Sequence, residues 1–234
     1  MKIILAPAKE MNPQHVVSGD WQLSEKSRKI MEVYQTLSSE EIQDMMQVSK
    51  KKLREVLTFQ ENFSAPETYR ALDLYNGLVF RQIEEVHPDY LEEHLRILSA
   101  FYGVLKPGDQ IKPYRLDFNM SFQVEGEGLR QFWGKEFDRF FEEGELVLNL
   151  ASVEFSSCLT PQRYQWVDFD FYEVVDGLPK RHSTISKKAR GLMVTYLNQK
   201  EVTTLEEVKA FDLMGYAYVP EESTDHCLVF RRDH

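Results

Sequence analysis

Cysteine is almost missing from this chain. Cys158 and Cys227 stand far apart and form no Cys-x-x-Cys pair, so neither a disulfide framework nor a structural zinc site is indicated, and a reducing, cytoplasmic setting is expected. Long apolar runs are missing too. Met1-Lys2 passes directly into Ile3-Ile4-Leu5, which Pro7 soon ends; this is neither a signal-peptide core nor a bilayer span, and no membrane contact is expected. The glycine patterns that cradle nucleotide phosphates are absent, and Gly126-x-Gly128 lacks its third glycine. ATP or NAD use has no footing, and no cofactor is expected. Gly-x-Ser-x-Gly and His-Glu-x-x-His do not occur, which removes the familiar hydrolase nucleophile and zinc-protease arrangements. Glu84-x-x-His87 copies half of a di-iron motif, but it has no second copy and Pro88 follows it. No metal site is expected there, a surface pair being the plainer account.

Positive charge is in deficit as well. Against 38 Asp and Glu stand 28 Lys and Arg, giving a formal charge of −10, so any polyanion must meet a local basic patch rather than a basic coat. The cations cluster. Lys50, Lys51, Lys52 and Arg54 form one group, and Lys180, Arg181, Lys187, Lys188 and Arg190 form another with no acid between. Each is either a solvated face or an anion site. At 234 residues with 42% hydrophobic content, the chain fits one large α/β domain, residues 1–234, with a real core.

The stretch from Leu95 to Asp109, continuing through Ile111 to Phe118, organises the rest. Pro88 suits the first turn of a helix, and Leu91, Leu95, Leu98 and Tyr102 then share one face. This predicts a helix to about Phe101, ended by Gly103 and by the turn residues Lys106-Pro107-Gly108-Asp109. Arg96, Lys106, Lys112 and Arg115 lie beside Ser99, Tyr102 and Tyr114, a set of cations and hydroxyls that suits an anion. Helix, hairpin and turn in this order are compatible with a helix-hairpin-helix, whose amides contact phosphate without reading bases. A plain helix-to-loop transition is the alternative.

Ile3 to Ala6 reads as a buried strand delivering Lys9 just beyond its carboxyl end, where α/β proteins place ligands. Met11 to Asp20 reads as a long loop, either covering a site or merely connecting. Helices follow with Leu23, Ile30, Val33 and Leu37, then after a Ser38-x-x-Glu41 capping box, then from Ser49 with three lysines in its first turn. Another is predicted from Pro66-Glu67 to Asn76-Gly77. Phe132, Trp133, Phe137, Phe140 and Phe141 have helical spacing and read as core. Leu146 to Leu150 is a buried strand bringing Asn149 and Ser152 to its end. Val167, Phe169 and Phe171 alternate with polar residues in a strand that turns at Asp176-Gly177. Ser186 reads as the cap of a helix whose first turn holds Lys187, Lys188 and Arg190, against the macrodipole, which makes that turn a candidate anion cradle. Thr203-x-x-Glu206 and Thr204-x-x-Glu207 read as capping a short helix, and Gly215–Val219 pairs with Cys227–Arg231 as a terminal hairpin.

Leu95 to Pro107 and Pro113-Tyr114-Arg115-Leu116-Asp117 resemble the pattern of the YaaA-type peroxide-stress family. Ala6-Pro7-Ala8-Lys9, Phe132-Trp133-Gly134, Asn149-Leu150-Ala151-Ser152 and Lys187 to Gly191 are similar to further family segments, in family order over nearly the whole chain. The chain departs at Ala6, Glu10, Ala100 and Lys106, and at Val153 and Phe155, where an acid and a tyrosine are common. The resemblance implies a mixed sheet wrapped by helices around a basic cleft. It also implies a role in peroxide stress with DNA binding, supporting the helix-hairpin-helix.

The candidate residues for DNA or another anion are Lys9, Arg96, Ser99, Tyr102, Gly103, Lys106, Tyr114, Arg115, Lys187, Lys188 and Arg190. DNA bound without sequence preference is the first reading. An enzyme or binding protein for a small phosphorylated or nucleotide-like ligand in the same cleft is the rival, since the same cations serve both. No nucleophile and base stand out, so no catalytic residue is assigned. An interaction protein with an acidic surface is a third reading, which leaves the cation cluster unused.

Overall fold

The computed structural model describes residues 1–19 and 21–234. Its centre is an eight-stranded mixed sheet. The strands are β1 (Lys2–Leu5), β2 (Leu95–Ser99), β3 (Gly103–Leu105), β4 (Leu146–Asn149), β5 (Gln165–Val175), β6 (Leu178–Lys180), β7 (Tyr216–Tyr218) and β8 (Cys227–Asp233). Their order is β7-β8-β5-β4-β1-β2-β3, with β6 paired to β5. β8, β5, β4, β1 and β2 run parallel, while β3, β6 and β7 are antiparallel to their neighbours. Ile3, Ile4, Leu5, Val147 and Leu148 are fully buried, as expected of central parallel strands covered on both faces.

Helices α1 (Glu25–Thr36), α2 (Ser39–Met46) and α3 (Lys50–Glu61) follow the first strand. Each has a serine cap, from Ser24, Ser38 and Ser49, and the Ser38–Glu41 capping box is complete. The loop expected over Met11 to Asp20 contains a two-residue strand, Val16–Val17, paired with Thr68–Arg70; Asp20 lies outside the described residues. That pairing also corrects the helix expected from Pro66. Thr68–Arg70 is extended, and only Ala71–Leu74 is helical.

The helix from Pro88 is shorter than its sequence spacing suggests. α4 (Pro88–His94) ends at His94, and the next five residues are β2, every one buried. A short, mostly apolar run such as Leu95–Ser99 fits a doubly covered strand as well as a helix. Pairing with β1 decides it, with Ile3 opposite Leu95 and Leu5 opposite Ile97. The Ser99 hydroxyl oxygen then accepts the amides of Phe101 and Tyr102, making the turn, and Gly103 enters β3 at φ +83°. This segment is therefore strand, turn and strand. The helix-hairpin-helix is corrected accordingly.

After β4 comes α5 (Val153–Ser156), and after β6 comes the long α6 (Ser183–Gln199). The hairpin between β5 and β6 turns at Asp176-Gly177, both with positive φ. α6 has its N-cap position at His182, not Ser186, and the His182 side chain makes no capping bond. It begins a turn early, and Ile185 is already buried on its apolar face. Lys187, Lys188 and Arg190 thus lie beyond the first turn, where the dipole penalty has faded. α6 packs on β5 and on residues 77–87, where the Thr195 hydroxyl donates to the Gln82 carbonyl and Asn198 bonds the Val86 and His87 backbone. A short helix, α7 (Leu205–Lys209), with a complete Thr204–Glu207 capping box, precedes the terminal strands. No helix among the described residues is long and apolar enough to cross a membrane.

Candidate functional site

Parallel strands end on a common edge, and the loops leaving them there can converge. The loop after β1 brings Lys9 against the segment Tyr114–Asp117, with Phe155 of α5 closing a cavity of about 40 Å³. Lys9 Nζ lies 2.8 Å from Asp117 Oδ2, an ion pair in which the lysine is 62% exposed and the aspartate only 8%. The second Asp117 oxygen accepts the Asn119 amide at 3.1 Å. Arg115 Nη1 donates to the Lys9 carbonyl at 3.3 Å, while its Nε is buried without an acceptor among the described residues.

Glu154 stands beside this pair. Burial and the neighbouring Asp117 carboxylate hold its carboxyl above the usual range, with Lys9 opposing them. Its Oε1 accepts the Phe118 amide at 3.0 Å. Sequence reading passed over Glu154 because it sought the acid at Val153, one position earlier. It is the half-buried position next to Asp117 that singles this residue out.

Behind the cavity the hydroxyls form a chain. Ser99 Oγ lies 2.7 Å from the Tyr114 hydroxyl, which lies 2.8 Å from that of Tyr75. Ser99 Oγ already accepts two amides, so its own proton points to Tyr114, and Tyr114 in turn donates to Tyr75. Burial pushes the Tyr114 phenol up to about 12 and that of Tyr75 well above its ordinary value. Tyr102 is held apart from this chain, its hydroxyl donating to the Lys112 carbonyl and accepting the Lys112 amide. Gly103 packs under the Trp133 ring, where an added Cβ would meet ring atoms at 3.0 Å.

Arg190 is half-buried on α6. It faces Asp168, whose register partner Asn149 is the last residue of β4. Burial lowers the Arg190 pKa from its ordinary value, opposed by Asp168, and its Nε is buried without an acceptor among the described residues. Asp168 Oδ1 is taken by the Asn149 amide group at 2.7 Å and by Trp166 Nε1 at 3.0 Å. Lys187 and Lys188 are exposed and make no ion pair among the described residues, whereas nearby Arg181 is paired to Asp170 and Glu222.

Arg96 and Lys106 lie elsewhere, at the amino end of β2. Arg96 is buried and donates Nη1 to the carbonyls of Glu92 and Leu95, tying off the end of α4. The Lys106 amide donates to Asp109 Oδ2 at 2.8 Å and its ammonium sits 3.9 Å from Glu92.

The segments that build this edge, Ala6–Lys9, Tyr114–Asp117 and Asn149–Ser152, are those that carry the family resemblance. Residues 1–222 match the family described as Peroxide stress protein YaaA. This chain belongs to that family. It is 35% identical over 240 residues to a UPF0246 protein of Streptococcus uberis, covering 98% of each chain. A UPF0246 protein of Streptococcus pneumoniae serotype 4 is 33% identical over 244 residues and covered in full by this chain.

Proposed function

We propose that this YaaA-family protein serves in peroxide stress by holding the phosphates of DNA, without reading base sequence. The contacts are a basic cleft at the carboxyl edge of the sheet and the exposed lysines of α6. The supporting observation is that Arg115 and Arg190 bury Nε–H groups with no acceptor among the described residues, a state shared with Arg232, which is ion-paired to Glu173. A desolvated donor left unmet is unfavourable, and a planar guanidinium matches the oxygens of a phosphate. Lys9, Lys187 and Lys188 add exposed positive charge. With a net charge of −10 repelling DNA from the remainder of the surface, contact is confined to this face.

Fluorescence titration of a duplex at several salt concentrations tests this. A site neutralising about four phosphates gives a log–log slope of roughly −3.6, from about −0.9 per phosphate, and duplexes of unrelated sequence bind alike. Binding that is absent or indifferent to salt defeats the proposal.

One observation favours the rival ligand, a small phosphorylated or nucleotide-like molecule in the same cleft. Arg115 lines a cavity of about 40 Å³, too small for a duplex backbone to enter. Sulfate binding that persists where DNA binding is absent selects this reading.

A further inference from the structure

Lys9, Arg115 and Asp117 line the cavity beyond β1, and Glu154 stands beside it, held by the Phe118 amide next to Asp117. Lys9 supplies an ammonium with three donors, only one of which meets Asp117. Arg115, which donates Nη1 to the Lys9 carbonyl, supplies a guanidinium whose Nε has no acceptor among the described residues. Glu154 supplies a carboxyl that makes no ion pair among the described residues. About 40 Å³ takes a few atoms, the head of an oxyanion and not a whole nucleotide.

We propose that Lys9 and Arg115 hold a small dianionic oxyanion, the phosphate end of a phosphomonoester, in this cavity, and that Glu154, beside its Asp117 wall, takes up one proton from water as the ligand enters. The proposal rests on the small-ligand reading above.

The coupling follows from what surrounds Glu154. From the segment before it comes Asp117, held ionically by Lys9 and by the Asn119 amide. Lys9 is the opposing charge. From the short helix Leu129–Trp133 comes Arg130, whose Nη1 donates to the Glu154 backbone carbonyl at 2.9 Å rather than to its carboxylate. Just beyond α5 lies the Cys158 thiol, which burial pushes up to about 11, so it stays neutral. A dianion arriving here adds like charge beside two carboxylates. Asp117 has a cation to hold its charge, whereas Glu154 is already biased toward the neutral form by burial and by Asp117. Protonating Glu154 is therefore the response that relieves the repulsion.

Sulfate is the probe, since it remains a dianion throughout the working range. Calorimetric titration between about pH 5 and about pH 8, in buffers of different ionisation enthalpy, counts protons taken up. The expected result is about one proton per sulfate, with affinity falling by up to about tenfold per pH unit. Glu154→Gln, which keeps the acceptor for the Phe118 amide, should bind sulfate with no proton uptake and a flat pH profile. Arg115→Gln should weaken binding at least about tenfold while the circular dichroism spectrum is unchanged. Wild-type binding without proton uptake, or uptake that survives in Glu154→Gln, overturns the coupling and leaves the small-ligand reading standing. Sulfate binding in Arg115→Gln equal to wild type moves the ion out of this site. Failure of the wild type to bind sulfate at any pH removes both.

Discussion

Arg96 on β2, Arg115 beside Lys9 and Arg190 on α6 are three guanidiniums at least partly buried and put to opposite uses. Arg96 donates to two backbone carbonyls at the end of α4, carbonyls that a helix terminus leaves without partners. Among the described residues Arg115 has one bond through Nη1 and a buried Nε without an acceptor, and the Nε of Arg190 is likewise unmet, as is that of Arg232, which Glu173 holds through Nη2. The difference separates a residue that completes the fold from residues that the fold leaves incomplete. Charge alone, as read from sequence, does not make that distinction. The backbone oxygens within reach do.

The comparison is broken most severely by Gly191→Ala on α6. A Cβ there would sit 2.1 Å from the Val79 carbonyl oxygen, so α6 must lift from residues 77–87 and carry Arg190 away. Urea unfolding should show a loss of about 3 kcal/mol. Ser99→Ala strips the acceptor from two amides and the donor from Tyr114, and should lose about 2 kcal/mol in the same measurement. Arg96→Met should lose about 1 kcal/mol, because removing the α4 carbonyl bonds is partly offset by no longer burying a charge, and it should leave sulfate and DNA affinity unchanged. Arg115→Gln should invert that pattern, with stability within about 0.5 kcal/mol of wild type and binding lost.

Two smaller effects sharpen the contrast. The Glu154 carboxyl is raised in the fold, so the native state binds its proton more tightly than the unfolded chain. Stability therefore falls as pH rises from the ordinary glutamate value through the folded one. Glu154→Gln should unfold at a higher midpoint than wild type at neutral pH, with the difference vanishing below about pH 4. Lys187→Glu with Lys188→Glu should change stability by less than about 0.5 kcal/mol, since both are exposed and beyond the first turn of α6. The DNA titration should nonetheless weaken and its salt slope flatten.

Much of the frame was legible from local chemistry. The Ser38–Glu41 and Thr204–Glu207 boxes, the Asp176-Gly177 hairpin, the alternating β5 and the β1 strand delivering Lys9 all form where their residues suggest. What was hidden depends on distant partners. Leu95 to Leu98 suits a helix face until β1 is placed alongside. Pro66 suits a helix start, but Tyr69 and Arg70 pair with Ile111 and Gln110. The grouping of Lys9 and Arg115 with Asp117 was half visible, because their motifs lie at strand ends and turns. The exclusion of Arg96 was invisible, because its carbonyl partners exist only once α4 has ended.

The hydroxyl chain from Ser99 to Tyr75 has a fixed polarity, set by the two amides that occupy the Ser99 oxygen. It makes a turn between two strands answerable to Tyr75, a side chain distant in sequence that is linked to it through Tyr114. Deuterium entering the Phe101 and Tyr102 amides thus becomes a gauge of that remote contact. In Tyr75→Phe the Tyr114 proton loses its acceptor, and those two amides should exchange faster although nothing within hydrogen-bond reach of them has been altered.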